Sequence, residues 1–200
     1  MDILIDRFSS LIIVDVQNDF CPGGVLAVKD GDQVVRVLND YIPYFQAERA
    51  PVFVTRDWHP RNHISFKERG GPWPPHCVQG TKGADFYPGL RIPYRTTVIS
   101  KGFLTDQDAY SGFQGTDLEA RLREKSVTKN FVGGLATDYC VKHTVLDSLK
   151  CGFETFLLVD AVRGVGVHQG DSEKAIQEMV RAGATEIKLS DLISKREART

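Results

Sequence analysis

The sequence lacks the features that mark membrane spans and nucleic-acid binders. No stretch approaches the roughly 18 consecutive apolar residues that a membrane span needs, and no cationic leader with a long apolar segment begins at Met1. Basic and acidic residues nearly cancel, at 25 Lys plus Arg against 26 Asp plus Glu, and no basic run suited to a phosphate backbone occurs. We therefore expect a soluble, cytoplasmic protein with neither membrane nor nucleic acid as a partner.

Cysteine is scarce as well. The four cysteines form no CxxC pair, and a chain of 200 residues is large enough to fold without disulfide bonds. We expect all four to be free thiols: Cys21, Cys77, Cys140 and Cys151. The hydrophobic content of 42% suffices for a sizeable core, which predicts one domain over residues 1–200.

The sequence does contain a repeated alternation of strand-like and helix-like segments. Short apolar runs rich in β-branched residues predict buried parallel strands, and several segments between them have the spacing of amphipathic helices. Because parallel neighbours need crossover connections, this predicts an α/β fold, a three-layer sandwich with a central, mainly parallel six-stranded sheet and helices on both faces. The predicted strands lie at 10–16, 51–57, 97–102, 126–134, 153–161 and 185–189, and a short helix is predicted from Ser190.

Charged side chains follow several of these predicted strands. Asp15, Asp57, Lys101 and Asp160 stand at their carboxyl ends, where parallel sheets bind ligands. One such residue alone could be a helix cap or a loop anchor. Four at the same edge of one sheet indicate a functional site.

Cys140 is the candidate nucleophile at this edge. It lies in the first turn of the helix after the fourth strand, where N–H groups and the helix dipole should lower the thiol pKa. Asp15 as proton acceptor and Lys101 as a cation would complete an acyl-transfer set, with the N–H groups of Ala136 and Cys140 as an oxyanion hole. Alternatively, Cys140 is a small buried hydrophobic residue, and "GGLATDYC" at 133–140 is a turn needed only for packing.

The segment "DWHPRNH" at 57–63 indicates a metal site. Together with His76 from "WPPHC", it supplies the carboxylate and imidazole groups that Zn, Mn or Fe accept. Three ligands within seven residues would have to wrap tightly around a proline, so we favour Asp57, His59 and His76. The role of His63 stays open: it could be a further metal ligand, or it could orient a ligand through a hydrogen bond. The alternative is a His-rich surface loop that binds no metal.

The segment 58–95 is too long for an ordinary connection and is filled with Trp, Pro, Gly and His. Loops of this length are usually functional. Phe20, Trp73 and Tyr110 lie near the motifs and could clamp a flat heteroaromatic substrate by stacking, although each could equally be a core or rim aromatic.

Five motifs occur in order along the chain: "IIVDVQNDFCPGG", "TRDWHPRNHISF", "WPPHCVQGTKGADF", "SKGF" and "GGLATDYCV". Together they resemble the nicotinamidases, often called pyrazinamidases, of the isochorismatase-like cysteine hydrolase superfamily. The match runs from Leu11 to Ala161 and continues more weakly beyond. The resemblance implies the isochorismatase-like hydrolase fold and a cis peptide bond between Leu135 and Ala136. It also implies these roles: Asp15 as catalytic acid/base, Lys101 as catalytic lysine, Cys140 as nucleophile, and Asp57, His59 and His76 as metal ligands.

The activity that this resemblance implies is hydrolysis of nicotinamide to nicotinate and ammonia through a thioester, a step of NAD salvage, with pyrazinamide as a further substrate. One divalent metal ion is implied, zinc ahead of manganese or iron, with the pyridine nitrogen on the metal and the ring between Phe20 and Trp73. In some relatives a histidine near position 63 coordinates the metal, so His63 stays open. The oligomeric state also stays open, a homo-oligomer included.

Other interpretations fit the sequence less well. Isochorismatases cleave a vinyl ether without a cysteine nucleophile, and other amidases of the superfamily lack the metal ligands, whereas this sequence has both features. "GVGVHQG" at 164–170 lies between a strand and a helix like a dinucleotide-binding turn, but its spacing is GxGxxxG and little chain follows. An inactive binding protein is disfavoured because Asp15, Lys101 and Cys140 are all present.

Overall fold

A parallel sheet is the central layer of the computed structural model, which describes residues 3–193. The strands are β1 Ile3–Leu4, β2 Ser9–Val14, β3 Val52–Asp57, β4 Thr97–Lys101, β5 Lys129–Leu135, β6 Glu154–Arg163, β7 Thr185–Ile187 and β8 Leu192–Ile193. Strands β2 to β7 form one six-stranded sheet in the order β4-β3-β2-β5-β6-β7, and every pairing in it is parallel. Strands β1 and β8 pair separately.

Helices cover both faces of this sheet. They are α1 Gln33–Ala47, α2 Leu118–Glu124, α3 Lys142–Lys150 and α4 Asp171–Arg181. In β2, Leu11 and Ile13 pack with α1, whereas Ile12 and Val14 pack with the other three helices, because successive side chains of a strand point to opposite faces. The predicted three-layer α/β fold is confirmed. Within residues 3–193, no helix has the length and apolarity needed to cross a bilayer.

The order of the strands places a ligand site at the middle of the sheet. From β2 the chain adds β3 and β4 on one side, then returns and adds β5, β6 and β7 on the other. Neighbouring connections therefore diverge between β2 and β5, and a crevice forms beyond the carboxyl ends of these strands. Asp15 directly follows β2, and Cys140 follows β5 at a distance of five residues.

The helix expected from Ser190 is wrong. Instead of a helix from Ser190, a 3-10 turn at Leu189–Asp191 leads into β8, and the rest of the expected helix lies outside the described residues. Leu192 is buried in the core beside α1, and a strand of two residues is too short to show a period in the sequence.

Asp160 is not at a strand end either. After a shift in register, β6 continues to Arg163, which pairs with Leu135. The Asp160 carboxylate accepts hydrogen bonds from the Tyr41 hydroxyl and the Leu189 N–H, both at 2.9 Å. It therefore ties α1 and the 3-10 turn at Leu189–Asp191 to β6 and takes no part in the cluster described below.

Candidate active site

Lys101 is the centre of a buried cluster at the carboxyl edge of the sheet. Its Nζ lies 2.8 Å from Asp15 Oδ2, 2.5 Å from Asp57 Oδ1 and 3.4 Å from Cys140 Sγ. It also donates to the Ala109 carbonyl at 3.3 Å. Burial opposes the ammonium charge, but the two carboxylates outweigh it and raise the pKa of Lys101 well above its ordinary value. A permanent cation thus holds two carboxylates and a thiol together.

Cys140 lies in a π-helical turn, Thr137–Val141, between β5 and α3. The N–H groups of Tyr139 and Val141 both donate to the Ala136 carbonyl at 3.1 Å, which fixes the start of this turn. Single π turns within helices are frequent at functional sites. The Cys140 thiol is almost fully buried and is held against Lys101.

The end of β5, which leads into this turn, has backbone conformations that few residues adopt. The peptide bond between Leu135 and Ala136 is cis, as the family resemblance implied. Gly134 has φ +122°, and a Cβ there would collide with the backbone of Val14. Only glycine lets the end of β5 come this close to the end of β2, and Cys140 reaches the cluster by this route.

Electrostatics keep the Cys140 thiol protonated. Burial and the carboxylates of Asp15 and Asp57 outweigh Lys101 and raise the pKa of Cys140 well above that of an ordinary thiol. The lowered pKa expected from the helix position is wrong, because that expectation left out the loss of solvent and the two carboxylates. Burial, with help from Asp57, also raises the pKa of Asp15 against the effect of Lys101. Asp15 Oδ1 accepts from Thr55 Oγ1 at 2.6 Å, while Oδ2 faces the ammonium.

Asp57, His59 and His76 direct three ligand atoms at one point. Asp57 Oδ2 is 3.6 Å from His59 Nε2 and 3.9 Å from His76 Nε2. The Nδ1 atoms of His59 and His76 lie 2.8 Å from the carbonyls of Gly102 and Pro74, respectively. Because a carbonyl only accepts, Nδ1 carries the proton in the neutral form of each ring, and the Nε2 lone pair of that form faces the shared point. This donor set fits a divalent metal ion.

The protonation of these groups is consistent with a cation site. Burial opposes the charge of Asp57, but Lys101 and His59 outweigh it and hold the pKa of Asp57 far below its usual range. Burial lowers the pKa of His76, which keeps that ring neutral. At His59, the Asp57 carboxylate outweighs burial and raises the pKa. An ionised Asp57 carboxylate and a neutral His76 ring are the forms in which these two groups bind a metal ion.

His63 is not brought into this group. Its Nδ1 lies 2.7 Å from Ser65 Oγ and its Nε2 3.0 Å from the Gln107 carbonyl, so both ring nitrogens have protein partners. The ring stacks on His59 with 4.1 Å between centroids. His63 therefore supports His59 by packing rather than through a hydrogen bond.

The cluster opens into a pocket of about 260 Å³. All three predicted aromatics line it, and Trp73 Nε1 donates to the Tyr110 hydroxyl at 2.9 Å. Tyr139, which the sequence analysis missed, packs its ring edge-on against Trp73 at 5.2 Å. The segment 25–28 and Val165 supply apolar walls. The predicted site residues that line the pocket are Phe20, Asp57, Trp73, His76, Tyr110, Ala136 and Cys140.

Sequence reasoning also missed two residues that hold the metal-ligand group in place. The Gln17 side chain donates to the Asp57 carbonyl at 2.9 Å and accepts from the Asp57 N–H at 2.8 Å. Asp19 Oδ2 accepts from the N–H of Cys77, the residue after His76, at 2.7 Å. The available signal was the polar triplet "QND", which directly follows a buried apolar strand.

Comparison with known proteins identifies the family of this chain. The Isochorismatase domain family model matches residues 9–191. The nicotinamidase of Escherichia coli (strain K12) is 41% identical, and the match covers 91% of this chain and 95% of that protein. The crystal structure of pyrazinamidase of Pyrococcus horikoshii in complex with zinc is 48% identical with a TM-score of 0.87, covering 91% of this chain and 99% of that one. PnC1 from L. infantum in complex with nicotinate is 35% identical with a TM-score of 0.89, covering 98% and 100%. The chain therefore belongs to the isochorismatase family, in its nicotinamidase/pyrazinamidase group.

Proposed function

We propose that this protein is a metal-dependent cysteine amidase that hydrolyses nicotinamide to nicotinate and ammonia and also accepts pyrazinamide. The observation that carries the proposal is the buried contact of Lys101 with both Cys140 and Asp15, at the wall of a pocket that also exposes Asp57 and His76. A nucleophile, a base and a cation in contact are the parts that acyl transfer requires. The similarity to nicotinamidases and pyrazinamidases supports the substrate assignment.

Asp15 is the acid/base of the proposed reaction. It takes the proton of Cys140 as Sγ bonds to the amide carbon, and it gives that proton to the nitrogen as the C–N bond breaks and ammonia leaves. Water then attacks the thioester carbonyl, Asp15 accepts a proton from it, and the same proton returns to sulfur as the C–S bond breaks. The product is nicotinic acid, which ionises in water. The raised pKa of Asp15 suits it to hold the proton between these steps.

Negative charge on the amide oxygen is stabilised by an oxyanion hole. We assign its donors to the backbone N–H groups of Ala136 and Cys140, both of which line the pocket. The Ala136 carbonyl is held by two hydrogen bonds within the turn, so this stretch of backbone is oriented before the substrate arrives. Lys101 stabilises the thiolate and the carboxylate on the other side of the sulfur.

Asp57, His59 and His76 hold the metal in this proposal, and zinc is the ion we propose. Two imidazoles and one carboxylate are a common zinc donor set, and the related P. horikoshii pyrazinamidase is a zinc complex. When bound, the ion supplies a Lewis acid with coordination positions left for other donors. His63 is outside the ligand set, because both of its ring nitrogens are bonded elsewhere.

We place a flat heteroaromatic ring between Phe20 and Trp73, which both line the pocket. The Phe20 ring lies 5.7 Å from the His76 ring, and Trp73 is held by the Tyr110 hydroxyl. Aromatic faces supply most of the binding, while the carboxamide points to Cys140. The related PnC1 from L. infantum binds nicotinate, a pyridine carboxylate, which supports a pyridine ligand in this pocket.

The test is ammonia release from nicotinamide, pyrazinamide and propionamide, measured on the zinc-loaded protein, after chelation, and after zinc is added back. We expect turnover of both aromatic amides, little turnover of the aliphatic amide, loss on chelation and recovery with zinc. No ammonia from nicotinamide with the zinc-loaded protein would refute the activity. Full activity of the chelated protein would remove the metal from the mechanism.

A further inference from the structure

A largely exposed surface loop forms part of the pocket wall. It connects β6 to α4 over residues 164–170, and the five residues from Val165 to Gln169 are all exposed. Val165 nevertheless lines the pocket beside Cys140. Segments with few buried contacts open easily, so something else must hold Val165 in position.

Asp138 supplies that attachment. Its Oδ1 accepts the N–H of Val165 and its Oδ2 accepts the N–H of Gly166, both at 2.9 Å. Hydrogen bonds between backbone N–H groups and an ionised carboxylate are among the stronger ones in proteins. Both oxygens of one side chain thus bind consecutive amides of the loop.

Asp138 also belongs to the turn that carries the nucleophile. It lies two residues before Cys140 in the π-helical turn Thr137–Val141. Gly164 packs closely at the same point, because a Cβ there would lie 3.1 Å from Asp138 Oδ1 and would collide with the Ser172 side chain. One carboxylate therefore joins the turn that carries Cys140 to the neighbouring loop that carries Val165.

We propose that Asp138 is a positioning residue that holds Val165 against the substrate ring, so that the wall of the pocket and the nucleophile turn keep a constant spacing. This rests on the proposed amidase function, since it names a further residue that acts on the same substrate. Asp138 acts through Val165 and does not touch the reacting atoms. Its loss should weaken substrate binding more than the chemical step.

The test combines kinetics with hydrogen exchange in four zinc-loaded proteins: wild type, Asp138→Asn, Val165→Ala and the double variant. Asparagine keeps the shape but replaces one acceptor oxygen by a donor, which cannot bind an N–H. We expect at least about tenfold faster exchange of the Val165 and Gly166 amides in Asp138→Asn. Val165→Ala keeps the carboxylate and should leave this exchange unchanged. Each single variant should raise KM for nicotinamide about three- to tenfold while kcat changes by less than about twofold.

The double variant decides whether Asp138 acts through Val165. If it does, the double variant has about the KM of the worse single variant, because the second change removes nothing further. Multiplicative effects on KM, or a main effect on kcat, would overturn the proposal. Asp171→Asn is the matched control, since Asp171 Oδ2 accepts the N–H of His168 in the same loop at 2.7 Å but lies away from the pocket lining. It should speed exchange near His168 and leave KM unchanged.

The exchange measurement separates the two proposals. If the wild type releases no ammonia from nicotinamide, the proposed function fails, while faster exchange in Asp138→Asn still establishes the attachment of the loop. If the wild type is active and Asp138→Asn exchanges like the wild type, the attachment is wrong and the amidase proposal stands.

Discussion

His76 and His63 both pack near His59, yet we expect alanine at these two positions to affect zinc binding very differently. The centroids of the His76 and His63 rings are 4.9 Å and 4.1 Å from that of His59. Only His76 directs a ring nitrogen at the point shared with Asp57, where its Nε2 is 3.9 Å from Oδ2. His63 has Ser65 and Gln107 as partners instead.

The size of each effect follows from these contacts. Groups that only orient a metal ligand typically account for about 10- to 100-fold in affinity. Loss of a ligand should exceed that range, so we expect His76→Ala to raise the zinc Kd by more than about 100-fold, or about 2.7 kcal/mol. His63→Ala removes only the ring stacked on His59, and we expect at most about tenfold, the low end of the same range.

The assay is competition for zinc against a chromophoric chelator, with each variant first shown to be folded by circular dichroism. His63 is fully buried, so alanine there leaves a cavity and lowers Tm, and the titration must be run well below that Tm. His168→Ala is the control, because its side chain is 81% exposed and lies outside the metal-ligand group. Equal losses of zinc in folded His63→Ala and His76→Ala would refute the assignment of ligands.

Three further predictions test the nucleophile, the backbone and the charge pattern. Cys140→Ala should release no ammonia from nicotinamide while still binding nicotinate in calorimetry, and activity near that of the wild type would rule out the proposed nucleophile. Gly134→Ala should destabilise the fold by about 3 kcal/mol in urea unfolding, because the Cβ meets the Val14 backbone, and an unchanged midpoint would contradict this. Burial raises the pKa of Asp6, but hydrogen bonds from Lys129 and neighbouring groups outweigh it and lower the pKa below its ordinary value. The charged form therefore stabilises the fold above the unfolded pKa of about 3.9, and this contribution is lost as pH falls through the lower folded pKa. After a discount for solvent screening, Asp6→Asn should cost about 0.5 kcal/mol at neutral pH and nothing in strong acid, whereas a difference independent of pH in urea unfolding would be inconsistent with this account.

The central sheet was predictable because its strands are apolar on both faces. Such strands appear in the sequence as short unbroken runs, and the segments between them have helical spacing. All six predicted strands overlap β2 to β7 of the structure. The pairing of β1 with β8 was not predictable, since two residues show no period and their partners lie at opposite ends of the chain.

The candidate site residues were found because they follow strands or lie within motifs that resemble one family. The structure brings Asp15, Lys101 and Cys140 into contact, and their roles stay proposals. The exception among the strand-end residues is Asp160, which the longer β6 keeps inside the sheet. The position of Asp160 depends on a shift in register between β6 and β5, and no feature of the local sequence predicts that shift.

The sequence by itself determined the fold class, the family and most of the side chains that meet at one edge of the sheet, because periodicity and motif order are local properties of the chain. Only the tertiary structure decided the direction in which the pKa of Cys140 shifts, the hydrogen-bond partners of His63 and the link from Asp138 to Val165. Each of these depends on burial or on a partner far away in the sequence. Desolvation and hydrogen bonding act between residues that become neighbours only when the sheet has formed.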